Sequence, residues 1–246
     1  MSDDAVKKVL WWVCFLIAPA ILIAIELFHP AGFTKYPPGM YGYLSKPEPY
    51  DPQFKALGYF GPQWWFTLHM IQTPMVGLVA VGLWSLAGKV PSSTGLAATI
   101  FAWLARVTTF VFFVYYTALD SIGGIGLSKT IEITEQAKLS TEQLAAVEQV
   151  LNQTWTNEWV GGVGSYISLT GSWAAFFSAL FVAIALFLAK KAPWPALILL
   201  VGFGWELQVS HTMPYGPTAF GLLIISAFWI WWSERRSGLS TSRTTA

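Results

Sequence analysis

QWWFTLHMIQTPMVGLVAVGLWSLA, from Gln63 to Ala87, contains no Asp, Glu, Lys or Arg, and its one ionisable side chain is His69. A helix rises about 1.5 Å per residue, so roughly 20 apolar residues cross the hydrocarbon core of a bilayer. This stretch is long enough. Lipid offers the backbone no hydrogen-bond partners, so a single spanning segment of this length must be a helix. The chain is therefore read as a polytopic α-helical membrane protein, and the other apolar runs are read against this one.

Working outward, five more runs qualify as spans, at about 9–28, 96–120, 166–189, 195–210 and 218–232. The first follows Lys7 and Lys8 as a signal peptide would, but it is too long for a signal core and reads as a retained anchor. The fifth is short, about 24 Å if helical. A Pro- and Gly-containing turn, from His211 to Pro217, separates it from the sixth. The expected architecture is thus an all-α bundle of about six spans forming a single transmembrane domain over 1–246.

Composition agrees. Of 246 residues, 54% are hydrophobic and 11% charged, with a mean hydropathy of +0.52. Soluble domains carry about 25% charged residues, more than twice this share. A net charge of +1 gives no basis for a nucleic-acid partner, and the bilayer itself is the expected one. The lone Cys14 rules out an intrachain disulfide and a cysteine-cluster metal site. Fourteen Trp, including the pairs Trp11-Trp12, Trp64-Trp65 and Trp231-Trp232, are expected in interfacial belts.

Charge orients the spans. With the N-terminus in the cytoplasm, Lys7, Lys8, Lys89, Lys190, Lys191, Arg235, Arg236 and Arg243 all fall inside, against Asp3, Asp4 and Glu234. The short basic loops then obey the positive-inside rule. Both termini are expected in the cytoplasm, in a membrane of the bacterial inner type. Two long outer segments, 29–62 and 121–165, would cap the bundle. In the second, Ser140 and Gln143 have the spacing of a capping box and start an amphipathic helix.

Ionisable groups inside a membrane are costly and are functional candidates for that reason. Here they are Glu26, His29, His69, Arg106, Asp120, Glu206 and His211, which include every histidine of the chain. On the topology above, all but Arg106 lie in the outer half, facing the periplasm or exterior. Glu26 and His29 share a helix face, as do His69, Gln72 and Thr73. Arg106 and Asp120 are two sevens apart, and Tyr116 is one turn from Asp120. Pro74 is expected to kink its helix near His69.

Imidazole and carboxylate together suit first-row transition metals. His69, His211 and His29, with Asp120, Glu206 or Glu26, are the expected ligands for Cu, Zn or Fe. The outer methionines Met40, Met70, Met75 and Met213 point towards copper. Haem b is the other expectation, with two axial histidines and Arg106 on a propionate. Gln72 and Tyr116 would orient the ligands. Each residue also has a structural reading: His29 and His211 as polar caps, His69 as a core hydrogen-bond partner, Arg106 as a bridge between spans.

The chain resembles bacterial multi-pass membrane proteins of uncharacterised function. The resemblance lies in Leu68-His69, Ala105-Arg106, Asp120 with Gly123-Gly124-Ile125-Gly126, and His211 through Gly216. It covers most of the chain and implies an all-helical fold with no established activity. Trp205-Glu206 and the abundance of Trp resemble integral-membrane terpene cyclases, but the rest of the chain does not follow them.

Four functions fit these residues. The first is an outer-face metal or haem protein for redox work or metal handling. The second is a transporter or channel using Asp120, Glu206, Arg106 and the histidines as an ion or proton relay, which at six spans would need a homo-oligomer. The third is a cofactor-free membrane enzyme with Glu206 or Asp120 as acid and His69 as base. The fourth is a structural subunit of a larger membrane complex.

Overall fold

The computed structural model describes residues 3–29, 61–162 and 164–243. Among the described residues the regular elements are helical, with no strand. Helix α1 (Asp3–Trp12) passes through a wide π-helical turn (Val13–Ile17) into α2 (Ala18–Glu26). Pro19 lacks an N–H and its ring crowds the carbonyl four residues earlier, that of Phe15. The widened turn, which contains Phe15, accommodates that mismatch without ending the helix.

The remaining helices are α3 (Pro62–Ala87), α4 (Leu96–Leu119), α5 (Leu127–Gln136), α6 (Thr141–Trp155), α7 (Tyr166–Leu188), α8 (Trp194–Val209) and α9 (Tyr215–Arg243). A second π-helical segment, Asp120–Gly126, joins α4 to α5. Five continuous stretches are long and apolar enough to cross a membrane: Asp4–Glu26, Pro62–Ala87, Leu96–Gln136, Tyr166–Leu188 and Tyr215–Arg236. The protein is therefore an all-helical, membrane-embedded one. Helix α8 is apolar but shorter than the other five.

The expected loop after Asp120 is not there. The helix continues to Gln136 as one stretch of 41 residues. Gly123, Gly124 and Gly126 are weak helix formers. Here the π-helical segment absorbs them, and the missing side chains leave room for neighbours. A Cβ on Gly123 would lie 3.3 Å from the Trp155 ring, and one on Gly124 would overlap the His69 ring.

The second half of the expected cap does contain its helix. Gln143 N–H donates to Ser140 Oγ at 3.3 Å and Ser140 N–H donates to Gln143 Oε1 at 2.9 Å, so the capping box that opens α6 is complete. Most of the first cap segment, with Met40, lies outside the described residues.

The chain forms two compact units, one of Met1–Leu27, Met75–Phe113 and Ser172–Ala246, the other of Phe28–Pro74 and Val114–Gly171. In the first, α9 packs against α8 and α2. Its buried stripe is Ala219, Phe220, Leu223, Ala227 and Ile230, at helical spacing. Ser226 Oγ donates to the Ala196 carbonyl at 2.8 Å. Gly204 lets α8 close on α7, since a Cβ there would come within 2.8 Å of the Ala179 Cβ. Small residues at such crossings are how helices approach in lipid, where no hydrophobic force drives them together.

One end of this unit is aromatic and basic. Trp12 and Trp231 meet edge to face at 5.2 Å. Lys89 pairs with Glu234 at 2.7 Å and lies 4.1 Å over the Trp11 ring. In the second unit, Trp65, Leu127, Ile131 and Leu151 form a buried core flanked by Leu144, Val147 and Trp155. Helix α6 thus buries its apolar face against α5 and the start of α3.

Candidate functional site

Two groups of buried polar side chains emerge. The first follows from helix direction. Trp12 meets Trp231 while α9 packs against α2, so α9 runs antiparallel to α1 and α2. The far end of α2 therefore faces the turn that precedes α9. That end carries Glu26, fully buried, and the turn carries His211.

Local chemistry shapes the turn. Ser210 Oγ accepts the Thr212 N–H at 3.1 Å and bonds the Thr212 hydroxyl at 2.9 Å. Gly216 N–H donates to the Thr212 carbonyl at 3.0 Å. A Cβ on Gly216 would overlap the His211 carbonyl, so only glycine lets that backbone close. The Met213–Pro214 peptide is cis.

Glu26, His29 and His211 each offer one ligand atom, and these atoms lie within 4.8 Å of one another. Glu26 and His29 are held near each other by the chain itself, three residues apart across the turn that ends α2. Two imidazoles and a carboxylate, with Glu26 and His29 buried, form a His/Glu group that could bind a metal ion.

The second group lies within the second unit. His29, Trp65 and His69 form a cluster of three rings, with centroids 5.0 Å apart for His29–Trp65, 5.5 Å for His29–His69 and 4.6 Å for Trp65–His69. A carbonyl can only accept, so the 2.7 Å contact to Trp65 O identifies His69 Nδ1–H as the donor. The Nε2 lone pair of His69 is left for another partner. Trp65 Nε1–H in turn donates to the Gly123 carbonyl at 2.9 Å, within the π-helical segment.

Two rungs then join α3 to the helix bearing Tyr116 and Asp120. Thr73 Oγ1 is 3.2 Å from Asp120 Oδ2 and also 2.8 Å from the His69 carbonyl. One turn away, Gln72 Nε2–H donates to Tyr116 OH at 3.3 Å. Gln72, Tyr116 and Asp120 are all buried. Gln72 Oε1 has no hydrogen-bond partner among the described residues.

The expected ligands thus divide. Glu26, His29 and His211 gather. His69 stands against His29 but is held on Trp65, and Asp120 is held by Thr73. Glu206 is half-buried on α8 and outside the gathered set. Arg106 lies beside Gly88, where Nη2 is 3.9 Å from a would-be Cβ, and stacks 4.7 Å from the Trp103 ring. Gly88 adjoins Lys89, so Arg106 sits towards the end of the first unit opposite Glu26 and His211. A side chain on α4 leans towards its own N-terminus, which explains the reach. Helix α3 runs unbroken through Pro74.

Trp65 corrects the sequence reading. It is 2% exposed and sits at the centre of the second unit, not in an interfacial belt. The signal was present: Trp65, His69 and Gln72 recur at one turn and two turns, so Trp65 shares the polar face of α3. Gly124 and Gly216 make room for His69 and His211, a role that the sequence alone does not show. Compared with family models, curated proteins and solved structures, the chain matches none.

Proposed function

We propose that this protein is a membrane metalloprotein in which Glu26, His29 and His211 hold one transition-metal ion, copper, zinc or iron, for redox work or metal handling. The observation that carries the reading is the gathering of one ligand atom from each within 4.8 Å. Metal–nitrogen and metal–oxygen bonds of about 2.0–2.2 Å put neighbouring ligand atoms within about 4.5 Å of each other, so a small closure around an ion suffices. A set this tight favours a lone ion over haem b, whose plane needs its two histidines on opposite faces and no carboxylate between them.

Metal analysis of purified protein supplied with copper, zinc or iron tests this. One ion per chain is expected, with affinity falling at least about 100-fold in Glu26→Gln, His29→Ala and His211→Ala, since each removes a direct ligand. No ion bound, or wild-type affinity in the three variants, rejects the reading.

A second reading, an ion or proton relay, is favoured by the buried rungs Thr73–Asp120 and Gln72–Tyr116 beside His69. It predicts flux in liposomes that Asp120→Asn abolishes while metal content stays unchanged.

For topology we propose six crossings with both termini in the cytoplasm of a bacterial inner membrane, and the metal group facing outward. Trp12 at the start of the chain meets Trp231 near its end. An N-terminal and a C-terminal helix end on the same side require an even number of crossings, which five long helices and α8 supply. Cysteine labelling at Ser92 and Gly161 tests this. Labelling of Gly161→Cys from the cytoplasmic side rejects it.

A further inference from the structure

The C-terminal helix carries a pair of arginines, Arg235 and Arg236, that reach back along it. Arg235 lies 4.2 Å from the Trp231 ring centroid and Arg236 5.0 Å from that of Trp232. Each arginine thus stacks on the aromatic residue one turn earlier. Side chains on a helix lean towards its N-terminus, which for α9 is towards the membrane-spanning part. The guanidinium groups are therefore held at the depth of the tryptophans, not extended into water. Tryptophan settles at the headgroup level of a bilayer.

Stacking occupies the face of a guanidinium and leaves its in-plane N–H edge open. The acid adjacent in sequence, Glu234, is taken by Lys89 through both carboxylate oxygens, at 2.7 and 2.8 Å. Among the described residues no carboxylate pairs with Arg235 or Arg236. Both are exposed, and Lys8 stands on the same end, one turn before Trp12. The site therefore presents two fork-shaped donors at phosphate depth, with their charge unneutralised. A phosphodiester accepts such a fork through two oxygens.

We propose that Arg235 and Arg236, backed by Trp231 and Trp232, form a binding site for the headgroup of an anionic phospholipid. The occupant is a lipid and not a soluble phosphate, because the cations are drawn back beside an apolar helix that crosses the membrane. The site is independent of the metal group, which lies at the other end of α9.

Native mass spectrometry of detergent-purified protein, titrated with dioleoyl phosphatidylglycerol or dioleoyl phosphatidylcholine, tests it. The wild type should retain phosphatidylglycerol at least about fivefold better, in keeping with charge-assisted, two-point recognition. The R235Q/R236Q variant should bind the two lipids alike, and R235K/R236K should recover part of the preference, because lysine keeps the charge but not the fork. Both variants change exposed positions of α9, and unchanged circular dichroism and metal content confirm that the fold and metal group are intact. Equal retention of the two lipids by the wild type overturns the proposal, as does an unchanged preference in R235Q/R236Q. Full displacement of the lipid by millimolar inorganic phosphate would also overturn it, since the site would then read phosphate alone.

Discussion

The imidazole of His69 occupies the space that a side chain on Gly124 would need. The π-helical segment that carries Gly124 and the polar face of α3 are therefore fitted to each other through one missing methyl group. Gly124→Ala should push the ring off the Trp65 carbonyl and cost about 1–3 kcal/mol, as overpacking does. Gly221 on α9 has open space around it. Gly221→Ala should be neutral or stabilise by up to about 1 kcal/mol, because alanine is the better helix former. Unfolding midpoints in detergent compare the two, and equal shifts would refute the steric account.

Gly216 makes the same allowance for His211. Its Gly216→Ala variant should displace the His211 backbone and weaken metal binding about 10–100-fold, the range seen when a ligand loses its support. Metal titration of the folded variant reads this, and wild-type affinity would show that the turn does not set the histidine.

Thr73 ties Asp120 to α3. Thr73→Val keeps the shape and removes the hydroxyl, leaving a buried carboxyl short of a partner. A loss of about 1–3 kcal/mol is expected, with Thr73→Ser recovering most of it. If valine and serine behave alike, the hydroxyl is not what holds Asp120.

The start of α6 should respond to acid. Glu142 has its carboxyl held below the usual range by its own backbone N–H and then by the Ser140 hydroxyl. A lowered folded value means that the contribution is complete above the unfolded value and is lost as pH falls through the folded one. The protection factors of the α6 amides, which correct for the intrinsic slowing of exchange in acid, should therefore fall on acidification in the wild type, and less in Glu142→Gln. The same slope in both would exclude Glu142 as the cause.

The sequence gives the helices and most of their ends, because unbroken apolar runs and the Ser140–Gln143 cap are local signals. It does not give the continuation from Asp120 to Gln136, because Gly123, Gly124 and Gly126 are weak helix formers, and what they make room for, the rings of Trp155 and His69, is set by packing between distant parts of the chain. Nor could it separate His69 from the Glu26–His29–His211 group. Spacing tells which residues share a face of one helix. Which face meets which neighbour depends on close approaches such as Gly204 on Ala179, and these come from packing across the whole unit.

Helix α8 spans about 24 Å, while the hydrocarbon core is about 30 Å thick. If α8 crosses the membrane, as the proposed six-crossing topology has it, its partner α9 and the bilayer would absorb the difference by local thinning, at a fraction of a kcal/mol per Å. In that topology the turn at its end would be recessed below the surrounding lipid surface. His211 would then lie at the floor of a dimple in the membrane, where a hydrated cation could descend part of the way before it sheds any water.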